Sequence, residues 1–299
     1  MKFVSFIKKG IESIGILKDE RIVDLQYVFS NIGEENPPKN MIEFIMYQDD
    51  SKLKAIEKFI SGDRLETIPL DSVKISAPIP YSRRNVFCLG KNYVEHVKEV
   101  NITRITGTDV PKAPIYFTKV ACPAIGQGDS IRFSRKVTQQ VDYEAELAVV
   151  IGKDGANIKE EDAEKYIFGY TIINDVSARD LQGKHIQWLK GKSLDTFCPM
   201  GPAIVHKSEI PFPVELNISC RVNGELRQDS NTKKLIFNLP YIISDLSKGL
   251  TLKAGDIIAT GTPGGVGMGF NPIRVLKDGD IVECTIEKIG TLKNRVEEI

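Results

Sequence analysis

Sulfur and nitrogen metal ligands are scarce in this 299-residue chain, which has five cysteines, three histidines and one tryptophan. The cysteines (Cys88, Cys122, Cys198, Cys220 and Cys284) are odd in number, scattered, and form no CxxC pair. They fit the reduced thiols of a cytoplasmic protein better than a disulfide framework or a thiolate zinc site. With His96, His185 and His206 as the only histidines and no HExxH, a zincin is excluded as well. Any metal site has to be built mainly from carboxylates. No apolar run approaches the roughly 18 residues of a membrane span. The opening MKFVSFIKKGIESIG meets two lysines too early for the apolar region of a secretory signal. Excess charge is also missing, since 40 Lys+Arg balance 40 Asp+Glu. Nucleic-acid binding driven by phosphate neutralisation is therefore not expected. No polybasic block offers a membrane or RNA patch.

What is present is ordinary globular composition, 41% hydrophobic and 27% charged. Global disorder is excluded, and the chain is long enough to bury a large core. At roughly 150 residues per domain the length suggests about two domains. Residues 1–75 read as a small α+β unit. Met1–Leu17 makes two short strands around Lys8-Lys9-Gly10, and Asn40–Tyr47 and Ser51–Ile60 read as helices. Pro78 and Pro80 mark an extended connector within Ser72–Arg84, which places the second domain at residues 76–299.

From Val86 onward short β-type runs recur, among them Tyr143–Ile151, Tyr170–Ile173, Ala203–Val205, Leu216–Val222, Asp256–Thr260 and Ile281–Ile286. The main helical stretches are Ala178–Lys190 and Leu239–Leu246. Without regular βα alternation, a Rossmann or TIM reading is poor. The larger domain is expected to be mainly β, in mixed sheets with few short helices.

Five segments carry chemistry. In DYEAELAVVIGK (Asp142–Lys153), a run apolar on both faces marks a buried strand. Glu144 and Glu146, two apart, share one face of it. Two carboxylates there repel and lose hydration, which a divalent cation between them resolves; the plain alternative is a solvated strand end. In GYTIINDVSARDLQ (Gly169–Gln182), Asp175 ends a strand, either capping a turn or acting as a third carboxylate ligand. Ser177 to Asp180 reads as a capping box. Three carboxylates without thiols favour Mg²⁺ or Mn²⁺ over Zn²⁺.

In GKNYVEHVKEV (Gly90–Val100), His96 and Glu99 become i,i+3 neighbours if the segment is helical. They make either a general-base pair or an exposed His–Glu pair of no consequence. The following Asn101–Val110 is polar and reads as a lid. In KGKSLDTFCPMGP (Lys190–Pro202), Lys192 lies in an evident loop, solvated or paired with a substrate carboxylate. GDIIATGTPGGVGMG (Gly255–Gly269) is a strand running into a glycine-rich loop without the Lys-Ser/Thr of a P-loop. Its amides from Thr262 onward suit a small carboxylate, or the loop simply turns. Cys88 and Cys198 lie near these motifs and are expected to pack rather than react.

The order GKNYVEHVKE, DYEAEL, NDVSARDLQ, GKSLDTFCPMGP, NGELRQ, GDIIATGTPGGVG resembles the fumarylacetoacetate hydrolase family over about residues 80–299. Residues 1–75 look like the N-terminal domain of its longer bacterial members. Within the family the likeness points to oxaloacetate decarboxylase-like and acylpyruvate hydrolase-like members. The resemblance implies layered mixed β-sheets rolled around the site, and a homodimer. It implies metal ligands at Glu144, Glu146 and Asp175, holding one Mg²⁺ or Mn²⁺ per subunit. It implies a catalytic dyad at His96 and Glu99, with Lys192 beside it. Substrate contacts are implied at Lys91, Gln182, Lys192 and Thr262. Lys91 stands where acylpyruvase-type relatives carry Arg, which removes a bidentate contact.

The expected activity is cleavage of a C–C bond in a 2-oxo acid through an enolate stabilised by the cation, with oxaloacetate decarboxylation foremost. Acylpyruvate hydrolysis, 2-oxo-acid tautomerisation or isomerisation, and a sugar-acid dehydratase use related proton transfers. A non-catalytic 2-oxo-acid-binding or interaction module is the reading of a different class.

Overall fold

The computed structural model describes residues 1–62, 65–102 and 110–299. The lid expected over Asn101–Val110 falls, but for its ends, outside the described residues. The chain opens with β1 (Lys2–Lys8), β2 (Ile11–Lys18) and β3 (Arg21–Asp24). Helices α1 (Leu25–Ile32), α2 (Met41–Tyr47) and α3 (Asp50–Ile60) follow, then β4 (Ile68–Pro69) and β5 (Lys74–Ser76). Next come β6 (Val86–Gly90), α4 (Val94–Ile102), β7 (Ile115–Lys119), β8 (Ser130–Phe133), β9 (Val141–Asp142), β10 (Ala145–Ile151) and β11 (Ile167–Asn174). The chain continues through β12 (Ser177–Ala178), α5 (Arg179–Lys184), α6 (Leu189–Lys192), β13 (Met200–His206), β14 (Asn217–Val222) and β15 (Glu225–Asn231). It ends with α7 (Leu239–Leu246), β16 (Ile257–Ala259), β17 (Ile281–Ile286) and β18 (Gly290–Glu298).

The larger sheet runs β4-β3-β2-β1-β13-β11-β10-β16-β6-β7, with β5 also on β1. A second sheet runs β15-β14-β17-β18-β8. The expected mixed-sheet, mainly β architecture is observed; most pairs are antiparallel, but β16–β6 and β18–β8 are parallel. β10 sits at the centre, and all seven of its residues are buried. Its alternation explains why both faces are apolar. Leu147, Val149 and Ile151 face a core shared with Ile218, Cys220, Val282 and Leu292 of the second sheet. Ala148 and Val150 face a core shared with Phe29, Met41, Phe44 and Ile56 of the N-terminal helices. Sheet, sheet and helices thus stack in three layers.

The N-terminal helices form where the sequence caps them. Asn40 accepts from the Glu43 amide, and Asp49 from Ser51 and Lys52. Helix α1, not anticipated, is capped by Asp24 and ends on Gly33 at φ 76°. The expected boundary at residues 75/76 falls inside β5. Across it, β1 pairs with β13 (Lys2↔Val205), and Phe3 packs on Phe44 and Phe168 at 4.9 and 5.4 Å. Ala178–Lys190 is not one helix. Ala178 belongs to β12, and α5 and α6 are separated by residues 185–188. The capping box does not form either: the α5 cap is Ala178, and Ser177 Oγ donates to the Asp175 carbonyl. Asp180 instead accepts from Thr138 and the Gln139 amide, across to the neighbouring loop.

Candidate active site

Strand pairing assembles the acidic groups. β10 and β11 are antiparallel with Ala145 opposite Asn174, so the start of one lies beside the end of the other. The Asp175 amide donates to the Glu144 carbonyl at 2.8 Å, and the Glu144 amide to Asn174 Oδ1 at 3.0 Å. Glu144, Glu146 and Asp175 each present an oxygen, and these three atoms lie within 4.8 Å of one another. All three residues are buried.

Cations from other elements answer this charge unequally. Lys192 Nζ lies 2.6 Å from both Glu144 Oε2 and Asp175 Oδ2. It ends α6 rather than lying in a loop, and α6 reaches it by packing on α5 at Gly191, where a Cβ would meet the Gln182 amide at 2.7 Å. Arg179 bonds Asp142 at 2.9 Å, Glu144 at 2.6 Å and Gln182 Oε1 at 3.1 Å. Lys119, fully buried at the end of β7, donates to the carbonyls of Val176, Phe197 and Lys192 and lies 2.9 Å from Asp175 Oδ1. None of these three cations lies within 4 Å of Glu146, whose Oε2 accepts the Gly261 amide at 2.8 Å. Burial pushes the Glu144 carboxyl up, but Lys192 and Arg179 outweigh it and hold the group well below the usual range. For Glu146, burial, Asp175 and Glu144 all push upward, and its carboxyl sits well above that range. Burial opposes the charge of Lys192, but Asp175 and Glu144 more than restore it.

These residues fit a hard divalent cation. The donors are all oxygen, Glu146 has no ion pair within 4 Å from that trio, and Asp175 Oδ1 is a buried atom with no aligned hydrogen bond among the described residues.

His96 and Glu99 do fall on one helix, α4. Glu99 Oε1 accepts the Gly265 amide at 2.6 Å, which aims Oε2 toward His96 Nδ1. The two atoms are 3.8 Å apart, too far for a hydrogen bond, and each is buried with no hydrogen-bond partner among the described residues. The pair is thus poised rather than closed. A narrow cleft opens over the triad. Lys91, His96, Glu144, Glu146, Gln182, Lys192 and Thr262 line it, with Asp175 and Glu99 immediately behind. All the site residues expected from the sequence therefore meet in one place.

The glycine-rich loop behaves differently from the sequence reading. Its amides at Gly261, Gly265, Gly267 and Met268 point at the protein's own carboxylates Glu146, Glu99 and Asp142. The Thr262 hydroxyl is also engaged internally, donating to the Ala145 carbonyl and accepting from Gln228. Sequence reasoning missed Arg179, Lys119, Asp142 and Trp188. Arg179 was within reach, as a basic residue four positions after the strand-end Asp175. Its Nη2 is buried, has no hydrogen-bond partner among the described residues, and is carried by a residue that lines the cleft. Cys88 and Cys198 are buried behind the triad, as packing requires. Burial pushes both thiols up, Cys198 to about 12, so neither is a nucleophile.

A cleft closed around carboxylates where two central strands meet is the architecture of an enzyme rather than of a docking surface. The chain belongs to the fumarylacetoacetate hydrolase family, whose FAA hydrolase C-terminal region matches residues 85–297. It is 47% identical over 288 residues to the oxaloacetate tautomerase YisK of Bacillus subtilis, covering 94% of each chain. It is 44% identical to the mitochondrial oxaloacetate tautomerase FAHD2B of Bos taurus, over 89% of this chain and 82% of that one. Among solved structures it resembles a fumarylacetoacetate hydrolase from Exiguobacterium antarcticum, with TM-score 0.83 and 39% identity over all of both chains. A maleylpyruvate hydrolase from Sphingobium sp. SYK-6, in complex with manganese(II) and pyruvate, aligns with TM-score 0.78 and 29% identity, covering 100% of this chain and 99% of that one. No helix among the described residues is long and apolar enough to cross a membrane.

Proposed function

We propose that the chain is a Mg²⁺- or Mn²⁺-dependent enzyme of oxaloacetate, and that keto–enol tautomerisation is the reaction its site supports best. The observation that carries this reading is the poised His96–Glu99 pair beside a buried three-carboxylate cation site. The names of the relatives at 43–47% identity support the substrate. A bound divalent cation supplies Lewis-acid polarisation of the 2-oxo group and stabilises charge developing on its oxygen.

The chain's own residues do the rest. Arg179 Nη2 and Lys192 offer positive charge to the substrate's carboxylates, and Gln182 and Lys91 flank them in the cleft wall. His96 takes the proton from C3 and returns it to the C2 oxygen, and Glu99 stabilises the imidazolium between the two transfers. Leu89, Phe117, Trp188 and Met268 close the apolar side and keep bulk water from the enolate.

That apolar side favours a second reading, decarboxylation of the same substrate. A carboxylate placed against it loses hydration and departs more readily as CO₂, without a base. Metal-stripped protein, with Mg²⁺ or Mn²⁺ restored, separates the two when ultraviolet loss of the enol and release of CO₂ are followed together. Cation-dependent enol conversion without CO₂ is the expected result. Turnover surviving in chelator-treated protein would sink both readings.

A further inference from the structure

Most of the cleft wall has no room to give. Lys192, Arg179, Glu144 and Glu146 are buried and held by one another or by backbone, and Leu89 and Met268 are buried as well. Trp188 is different. It is half-buried, and its neighbours His185, Ile186, Gln187 and Leu189 are all exposed. Its indole is wedged against the chain opposite: a Cβ on Gly90 would lie 2.2 Å from Cζ3, so only glycine leaves room for it. On another side it meets Phe117 edge-on, with ring centroids 5.1 Å apart at 70°.

The segment holding this wedge is strained. Ile186 is β-branched, 84% exposed, and sits at φ +59°, where such residues are rare. The Gln187 amide closes a tight turn around it onto the His185 carbonyl. No packing of the Ile186 side chain compensates; what the turn achieves is to aim the next residue but one, Trp188, back into the cleft. Trp188 is also the residue that caps α6, the helix that ends in Lys192, and the Lys192 amide donates to its carbonyl at 3.0 Å. Anything that pushes the indole outward therefore pulls on the residue that contacts Glu144 and Asp175.

We propose, on the footing of the 2-oxo-acid reading above, that Trp188 is the specificity-determining wall of the cleft. It confines the ligand to a short 2-oxo acid and makes a longer 3-acyl chain displace both the indole and Lys192. The discrimination acts on binding through the lost space and on turnover through the shifted lysine.

Trp188 is the only tryptophan in the chain, so its emission reports on this one site. The test uses full-length Mn²⁺-loaded protein as wild type, Trp188→Ala, Trp188→Phe and Gly90→Ala. Oxalate and acylpyruvates from acetylpyruvate to hexanoylpyruvate are titrated by calorimetry. In wild type, affinity relative to oxalate is expected to fall as the acyl chain grows. Trp188→Ala should raise the relative affinity of the longest acylpyruvate by about tenfold or more, with Trp188→Phe between the two. Gly90→Ala should eject the indole, red-shifting its emission, and relax the length profile in the same direction. Should Trp188→Ala fail to fold, the other two variants decide. Oxalate bound normally, with the length profile unchanged in the folded variants, overturns the assignment of Trp188 alone. Oxalate failing to bind any Mn²⁺-loaded protein overturns the 2-oxo-acid reading and this assignment with it.

Discussion

Replacing Glu146 by glutamine should stabilise the cation-free protein while abolishing its response to Mn²⁺. Glu146 is 1% exposed, stands next to two other carboxylates, and has Lys119, Lys192 and Arg179 all beyond 4 Å. Glutamine keeps the shape, and its carbonyl still accepts the Gly261 amide. Its amide is uncharged at every pH and can donate toward the neighbouring carboxylates, whose ligand oxygens lie within 4.8 Å. A carboxyl held well above its usual range is kept protonated in the cation-free protein, and removing the cost of that protonation is worth about 1–3 kcal/mol near neutral pH, which raises Tm by about 2–6 °C for a chain of this size.

The cation reverses the order. With Mn²⁺ at a hundred times its Kd, wild type gains about 2.7 kcal/mol and the variant almost nothing. Thermal unfolding in chelator and in excess Mn²⁺ gives four melting temperatures. The expected ranking is variant above wild type in chelator and wild type level with or above the variant in Mn²⁺. A variant that melts lower than wild type in chelator, or that gains as much from Mn²⁺, would refute the argument that the triad is strained for want of a cation.

Three further outcomes are expected. Gly269→Ala places a Cβ 2.8 Å from Glu99 Cδ, so the carboxylate must swing off His96. Oxaloacetate turnover should fall about 10–100-fold with Mn²⁺ binding intact, and unchanged kcat would contradict the dyad. Lys119→Met strips a donor from three buried carbonyls and a counter-ion from Asp175. Urea unfolding should show a loss of about 3–5 kcal/mol, and a loss below about 1 kcal/mol would mean the ammonium is dispensable. Burial, the Met1 ammonium and Lys207 depress His206 to about 4, so the folded state refuses a proton that the unfolded chain accepts. Stability should be full above about pH 6.5 and decline toward pH 4, by at most about 3 kcal/mol. His206→Asn should flatten that slope in urea titrations, and a parallel slope would assign the acid sensitivity to other groups.

The parts of the site legible in the sequence are those fixed by local periodicity. Glu144 and Glu146 are two apart on a strand marked by its doubly apolar run, and His96 and Glu99 are three apart on a helix. Asp175 was legible because it follows directly on a strand. Lys119 and Arg179 were not, because their meaning depends on which strands become neighbours. Lys119 reads as a surface lysine until β7 is known to end beside Asp175. The Ser177 capping box failed for the same reason, since Ser177 is claimed by a β-bridge to Asp142. β15, with the sequence ELRQDSN, is polar and was missed; its strand character comes from pairing with β14 rather than from its residues. The glycine-rich loop misled because its composition shows that amides are free to bind an anion, not whose anion it is.

The central sheet also sets a timetable for synthesis. β1 can pair at once with β2, across the turn at Lys9-Gly10, but its other edge waits for β5 and then for β13, with Phe3 opposite Ile204. At about 5–20 residues per second, the ribosome needs roughly 10–40 s to deliver that last partner. For that interval a hairpin bearing Phe3, Val4 and Phe6 stands with part of an open edge beside it. The nascent chain is therefore most prone to self-association before β13 has cleared the ribosome, and chaperones that bind apolar strands have their main work there.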